Sequence, residues 1–171
     1  VIDTLTVKSS KYLQRFSLSD SSINELNISG NSIFETIDVG CGNNVVSAMI
    51  SKNGSNNKGQ DSTIYLCPER FDSILLKGNS SKTFHVGTVG NHSTFKIEDC
   101  KADLLLFSNC NGDDAEVLIN NLKPINSKDS AIYLVNSKKI EPIEKRGVFS
   151  AFQNIKRYDQ LTDELLNQHL S

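Results

Sequence analysis

Short apolar segments recur roughly every 10–12 residues along the chain, and most are followed by Gly, Asn, Ser or Asp. Each segment has only three or four positions, many of them β-branched or aromatic, which favours strands over helices. The segments cover residues 26–28, 37–39, 48–50, 64–66, 74–76, 84–86, 95–97, 104–107, 117–119 and 132–135. The pattern therefore predicts a series of short β-strands separated by turns.

The regular spacing of these strands favours a β-solenoid among the all-β folds. Each repeat combines one apolar segment with a corner of small polar residues, as expected where short strands stack coil upon coil. Asparagines at such corners can hydrogen-bond to one another in ladders along the stack. We therefore predict an all-β, right-handed β-helix, and the pattern over residues 20–137 resembles that class of fold. A β-sandwich or jelly roll is the alternative, because it also contains short strands at this spacing.

The hydrophobic pattern changes at Gly147, where apolar residues begin to recur every three or four positions, as on one face of a helix. The residues concerned are Phe149, Phe152, Ile155, Tyr158 and Leu165. We therefore divide the chain into a β domain, residues 1–146, and an amphipathic helical tail, residues 147–171. The tail is expected to cap the open end of the β core. Alternatively, it docks on a partner.

Composition limits the classes of partner. The chain has 171 residues and a net charge of −2, with acidic and basic residues interspersed, so a duplex nucleic acid is not expected. No apolar run approaches the roughly 20 residues that a membrane-spanning helix needs, and no signal peptide is evident. The localisation is therefore not determined by the sequence, although a secreted or host-delivered protein is expected.

Four acidic residues are the candidates for catalysis: Asp99, Asp103, Asp113 and Asp114. Adjacent coils of a solenoid can line one groove with carboxylates, and sugar-cleaving enzymes need two carboxyl groups roughly 5–9.5 Å apart. Asp103 and Asp113 are one repeat apart, so they could be neighbours. The competing interpretation is that these acids lie in ordinary solvated turns.

Motifs for other chemistry are missing from the sequence. The spacings of His85, His92, Cys100 and Cys110 match no structural zinc signature, and neither a nucleophile elbow nor a phosphate-binding loop follows any strand. No cofactor or metal is therefore predicted. The four cysteines, Cys41 and Cys67 included, are expected to be small buried hydrophobes, although two disulfides remain the alternative.

These observations favour a binding role over an enzymatic one. We predict a non-catalytic interaction module that presents an extended β surface to another macromolecule, with a protein as the expected partner, within a larger secreted, surface or host-delivered protein. The alternative is a glycan-active or glycan-binding β-helix. The absence of Trp weakens it, because sugar-binding modules often stack their ligands on aromatic side chains.

Overall fold

The computed structural model describes residues 1–57, 61–87 and 89–159. Within this part of the chain nearly all regular structure is β, and the strands stack as a β-solenoid of about seven coils. Every strand pairing in the described residues is parallel and joins strands of neighbouring coils. The β-solenoid prediction is thereby confirmed, and the β-sandwich alternative, which needs hairpin partners, is wrong.

In the described residues, each of the first six coils contributes one strand to each of two sheets, and the seventh contributes a strand to one sheet only. Sheet A contains six strands: β1 (Ile2–Lys8), β3 (Ser22–Ser29), β5 (Asn44–Ser51), β7 (Arg70–Lys77), β9 (Thr94–Lys101) and β11 (Glu116–Lys123). Sheet B contains seven: β2 (Leu13–Leu18), β4 (Phe34–Val39), β6 (Thr63–Leu66), β8 (Thr83–Gly87), β10 (Leu104–Ser108), β12 (Ala131–Val135) and β13 (Asn154–Tyr158). A 3₁₀ turn, Ser127–Asp129, precedes β12.

The core lies between the sheets and is built from apolar side chains that stack in register. Leu26, Ala48 and Ile74 occupy equivalent positions in successive strands of sheet A, and all are buried. Because successive side chains of a strand point to opposite faces, the two outer residues of each apolar triplet face the core and the middle residue faces outward. The outer residues of the apolar triplets are therefore the inward-facing positions of the coils.

One corner of the stack repeats the same backbone conformation in six coils. At or near the end of each strand of sheet A lies a residue with positive φ, a conformation that Gly, Asn and Asp adopt most readily. These residues are Ser9, Gly30, Lys52, Gly78, Asp99 and Asn121. The chain turns there from sheet A towards sheet B, and the next residue directs its side chain into the stack.

The side chains at this inner corner form a buried asparagine ladder. Asn31, Asn53 and Asn79 are each at most 1% exposed. The Nδ2 of Asn31 donates to Oδ1 of Asn53 at 2.9 Å, and Nδ2 of Asn53 donates to Oδ1 of Asn79 at 3.0 Å. Each Oδ1 also accepts a backbone N–H from the preceding coil, for example that of Ser10 at Asn31. The predicted ladder is therefore present at this corner.

A short helix closes the C-terminal end of the core. Helix α1 spans Glu141–Lys145, and the chain passes through it at the point where earlier coils have a strand of sheet A. Ile140 and Ile143 point into the core, as do Phe149 and Phe152 in the turns that follow. The ring of Phe149 stacks on that of Phe107, with centroids 6.1 Å apart. The tail therefore shares one core with the β domain.

The prediction of a helix through residues 147–159 is wrong. Turns occupy residues 147–153, and Asn154–Tyr158 forms β13 in parallel with β12. The spacing of Phe149, Phe152 and Ile155 suits this arrangement as well as a helix, because Ile155 continues the inner row of sheet B beside Ile132. The open edge of β12 supplies backbone partners that favour a strand there. The predicted tail position Leu165 lies outside the described residues.

Candidate functional site

The outer face of sheet A is an extensive and regular surface in the described part of the chain. Its side chains form straight rows, because the strands pair in register from coil to coil. The central row runs through Thr6, Asn27, Met49, Leu75, Lys96 and Leu118, one residue from each strand. We call the whole surface the sheet A face.

Apolar side chains are concentrated in the middle of the sheet A face. Met49 is 46% exposed and Leu118 40% exposed, and between them lies the partly exposed Leu75. Val46, on the same strand as Met49, is 48% exposed. These residues break the usual alternation of apolar inward and polar outward positions in a half-buried strand. Met49, Leu75 and Leu118 thus form an apolar stripe in contact with solvent, which Lys96 interrupts between Leu75 and Leu118.

Polar rows frame this stripe on both sides. One row consists of Thr4, Glu25, Ser47, Ser73, Thr94 and Glu116, and the other of Lys8, Ser29, Ser51, Lys77, Glu98 and Asn120. Lys77 and Glu98 approach to 3.9 Å across neighbouring strands of the second row. Both signs of charge are present, so the face carries no uniform electrostatic field. An apolar centre with a polar rim is the usual arrangement of a protein–protein interface.

The sheet A face has the dimensions of a protein–protein contact. It has six strands, five of them with eight residues. With strands about 4.8 Å apart and a rise of about 3.3 Å per residue, the face measures roughly 700–800 Å². A stable interface buries about 800 Å² on each partner. The face is therefore large enough to form a specific interface on its own.

The outward-facing residues of sheet B are different, because many of them are buried. Leu106 and Val135 are 0% exposed, and Tyr133 is 7% exposed, so these side chains form a second apolar cluster outside the main core. Tyr158 stacks on Tyr133, and the ammonium group of Lys156 lies 5.6 Å from the centre of the Tyr133 ring. In the described residues, the outer surface of sheet B is therefore exposed mainly at its outer strands, β2 and β13, whereas that of sheet A is exposed or partly exposed on all six strands.

His85 lies in this buried region of sheet B. It is 1% exposed, its Nε2 lies 3.2 Å from the hydroxyl oxygen of Ser108, and its ring meets the edge of Tyr65. Burial lowers the pKa of His85 to about 4 and raises that of the neighbouring Cys67 thiol to about 12. At neutral pH these groups are an uncharged imidazole and a thiol, which suits packing better than nucleophilic chemistry.

The candidate acids Asp103 and Asp113 are not neighbours. Asp103 precedes β10 and Asp113 follows it, so they lie at opposite edges of the solenoid. A five-residue strand alone separates them by about 13 Å, beyond the roughly 5–9.5 Å that a sugar-cleaving pair requires. Asp103 accepts the backbone N–H of Asn126 at 2.6 Å, and the backbone N–H of Asp113 donates to Asn91 at 2.7 Å.

Asp99 and Asp114 each have a local role. Asp99 is one of the corner residues with positive φ, and its Oδ1 accepts a hydrogen bond from Asn121 at 2.8 Å in the next coil. Asp114 lies 3.4 Å from His92, and both side chains are exposed. His92 also borders a polar cleft of about 510 Å³, together with Glu69 and Arg70. The four acids are thus distributed over both corners of the coils.

The cysteines and histidines form no metal centre in the part of the chain that the structure describes. All four cysteines are free; Cys41 is exposed, and Cys67, Cys100 and Cys110 are buried. Burial raises the pKa of Cys110 to about 11, so this thiol is unreactive at neutral pH. None of the described helices is long and apolar enough to cross a membrane.

The sequence analysis did not identify the sheet A face, although the sequence contains a signal for it. In each apolar triplet of sheet A the middle residue points outward, and in most half-buried strands that position is polar. Asn27 and Lys96 follow this rule, whereas Met49, Leu75 and Leu118 do not. Once inward and outward positions have been assigned in each strand, these three outward-facing apolar residues indicate a candidate binding surface.

Comparison with known proteins adds no family to this description. No protein-family model, curated protein or solved structure matches the chain. Function is therefore inferred from the geometry and chemistry of the described residues.

Proposed function

We propose that the chain is a non-catalytic interaction module that binds another protein through the sheet A face. The observation that supports this proposal is the row of exposed apolar side chains Met49, Leu75 and Leu118, which only Lys96 interrupts and which lies between two polar rows. Exposing apolar side chains in a row is unfavourable unless a partner removes them from water. A partner protein with an apolar patch would do so.

The chemistry of the face favours a protein over other macromolecules. A nucleic acid would need a dense set of Lys and Arg, whereas this face mixes Lys8 and Lys77 with Glu25, Glu98 and Glu116. A glycan would favour aromatic side chains on which sugar rings stack, and the three rows of the face contain none. Aliphatic side chains framed by Ser, Thr and mixed charges suit a protein surface.

The in-register rows also explain how a solenoid can present such a face without loops. Backbone pairing between coils fixes the outward side chains at regular intervals, so little conformational entropy is lost when a partner binds. Met49 is the adaptable member of the stripe, because its unbranched thioether side chain can adjust to the partner. The scaffold is rigid, and the contact chemistry lies in the side chains.

The proposal is tested by substitution at the centre of the stripe. The double variant Met49→Glu/Leu118→Glu places two charges in the apolar row, and both positions point outward, so the melting temperature should stay close to that of the unaltered chain. Proteins retained from the native source by the immobilised chain are identified, and each is then purified and titrated against both forms by calorimetry. We expect the double variant to weaken binding at least 10-fold.

Ile125→Glu is the matched control, because Ile125 is also an exposed aliphatic residue, 39% exposed, but lies beyond the end of β11 and outside the sheet A face. It should leave the affinity unchanged. A purified partner that binds the double variant and the unaltered chain equally well would exclude this face as the binding site.

A further inference from the structure

The two most exposed apolar side chains of the sheet A face lie on the same strand. Val46 is 48% exposed and Met49 is 46% exposed, and both belong to β5. In sheet A, β1 and β3 lie on one side of β5, and β7 and β9 lie next to it on the other side. A half-turn about the direction of β5 therefore exchanges β3 with β7 and β1 with β9, and leaves Val46 and Met49 on the axis.

The charges on the two sides of β5 are complementary under this half-turn. Lys8 of β1 and Glu98 of β9 occupy the same register position, two strands away from β5 on either side. Lys8 is exposed, and the side chain of Glu98 is 38% exposed. One strand away from Val46, Asp72 of β7 has the neutral Asn24 of β3 as its counterpart. The half-turn thus exchanges a cation with an anion, and an anion with an amide.

We propose that the partner of the sheet A face is a second copy of this chain, docked face to face about a twofold axis parallel to β5. This inference rests on the proposed function of that face. The strands of the two copies run in the same direction, with β5 on β5, β3 on β7 and β1 on β9, as in the aligned packing of two sheets. Val46 and Met49 each meet their counterparts, and Lys8 meets Glu98 of the other copy on both sides of the axis.

The five strands provide enough area for such a dimer. They contain seven or eight residues each. At about 4.8 Å between strands and about 3.3 Å per residue, they cover roughly 600–650 Å² on each copy. Two such faces bury about 1,200–1,300 Å², which lies at the lower end of the range of about 1,200–2,000 Å² for specific interfaces. We therefore expect a reversible dimer.

The charges favour this axis over other twofold axes in the plane of the face. An axis parallel to β7 would place Lys77 against Lys77 and Asp72 against Asp72 of the other copy. An axis perpendicular to the strands, along the central row, would place Lys96 against Lys96. Like charges opposed in this way disfavour both arrangements. The axis along β5 places no residue of the three rows of the face against a like charge.

Sedimentation equilibrium of the 171-residue chain tests the proposal. The unaltered chain should dimerise, and high salt should weaken the dimer because it screens the contacts between Lys8 and Glu98. Lys8→Glu opposes carboxylates and Glu98→Lys opposes ammonium groups, so each variant should lose affinity for itself at least 10-fold. An equimolar mixture of the two should form a heterodimer, because each carboxylate then meets an ammonium group. Lys128→Glu is the matched control: it reverses the same charge at an exposed position outside the face and should leave the dimer intact.

Met49→Glu places two carboxylates against each other on the axis and should give a monomer, while its circular dichroism spectrum should show that the solenoid is retained. A monomeric unaltered chain, a dimer that survives Met49→Glu, or a mixture of Lys8→Glu and Glu98→Lys that associates no better than either variant alone would each overturn the proposal. Failure of the proposed function is a different result. A different protein that binds the unaltered chain and loses affinity for Met49→Glu/Leu118→Glu would support the proposed function even if the chain itself were monomeric.

Discussion

His85 shows how a single residue of this fold can be buried without belonging to the core. It occupies an outward-facing position of β8, between Tyr65 and Leu106 of the neighbouring strands, and is 1% exposed. Burial penalises the charged imidazolium, which lowers the pKa of His85 to about 4 from its ordinary value of 6.5. The folded state therefore favours the neutral form of this residue.

The lowered pKa of His85 predicts a specific loss of stability in acid. Between pH 6.5 and pH 4 the unfolded chain binds a proton at His85 that the folded chain does not, so stability is intact above pH 6.5 and falls as the pH approaches 4. The shift corresponds to about 3 kcal/mol of unfolding free energy, at about 1.4 kcal/mol per pKa unit. Urea titrations at several pH values should show this loss.

The matched substitutions are His85→Gln and His92→Gln. The first removes the titrating group while keeping a polar side chain beside Ser108, so the fall in unfolding free energy between pH 6.5 and 4 should become shallower by about 3 kcal/mol. The second removes an exposed imidazole and serves as the control for a histidine substitution elsewhere in the chain. Identical slopes for His85→Gln and the unaltered chain would contradict this account of His85.

At the scale of elements, the asparagine ladder links the coils at one corner. Asn53 is the central member: its Oδ1 accepts from both the backbone N–H and the side chain of Asn31, and its Nδ2 donates to the Ile28 carbonyl and to Asn79. In this buried position no water replaces a lost partner at low cost. The ladder therefore couples three neighbouring coils through buried polar groups.

Removal of the central amide should be costly. Asn53→Ala leaves several buried donors and acceptors of the neighbouring coils without partners, each at about 1–3 kcal/mol, so the unfolding free energy should fall by at least about 3 kcal/mol. Asn120→Ala, at an exposed position of the polar rim, should change it by less than about 0.5 kcal/mol. Chemical denaturation measures both. A loss at Asn53 no larger than at Asn120 would mean that the ladder does not stabilise the stack.

The elements also show which parts of the structure the sequence can predict. The apolar triplets from residue 26 to residue 135 all lie within β3 to β12, because inward positions of a buried strand must be apolar. The strands β1 and β2 were not predicted, because Thr, Gln and Arg interrupt the apolar pattern of a coil that is only partly buried. The tail was misassigned because pairing with the open edge of β12 depends on tertiary structure, and local periodicity does not report it.

The same limit applies to the candidate site. Sequence spacing suggested that Asp103 and Asp113 would be adjacent, since they are one repeat of the strand pattern apart. Two such repeats make one coil, so residues one repeat apart lie at opposite edges. By contrast, the outward direction of Met49 and Leu118 follows from alternation alone and could be read from the sequence once the strands are assigned.

At the scale of the whole molecule, each coil of the solenoid contacts mainly its two neighbours. In the described residues strands pair only with those of adjacent coils, so stability is approximately a sum of coil and interface contributions. The two ends differ: α1 and the Phe149 turn cover the last coils, whereas the first coil is only partly buried. A substitution that destabilises one coil should therefore destabilise the coils nearest to it more than those at the other end of the stack.

Hydrogen exchange of two large-to-small variants should reveal this polarity. Phe149→Ala removes a 1% exposed ring from the C-terminal end, and Phe34→Ala removes a 0% exposed ring from the second coil, so the two variants match in chemistry and burial. Each substitution should lower the unfolding free energy of the surrounding coils by about 3–5 kcal/mol. Phe149→Ala should lower protection in β10, β12 and β13 while β3 and β5 stay protected, and Phe34→Ala should give the reverse order. If both variants instead lowered protection equally in every strand, the solenoid would unfold as one cooperative unit, and the nearest-neighbour description would fail.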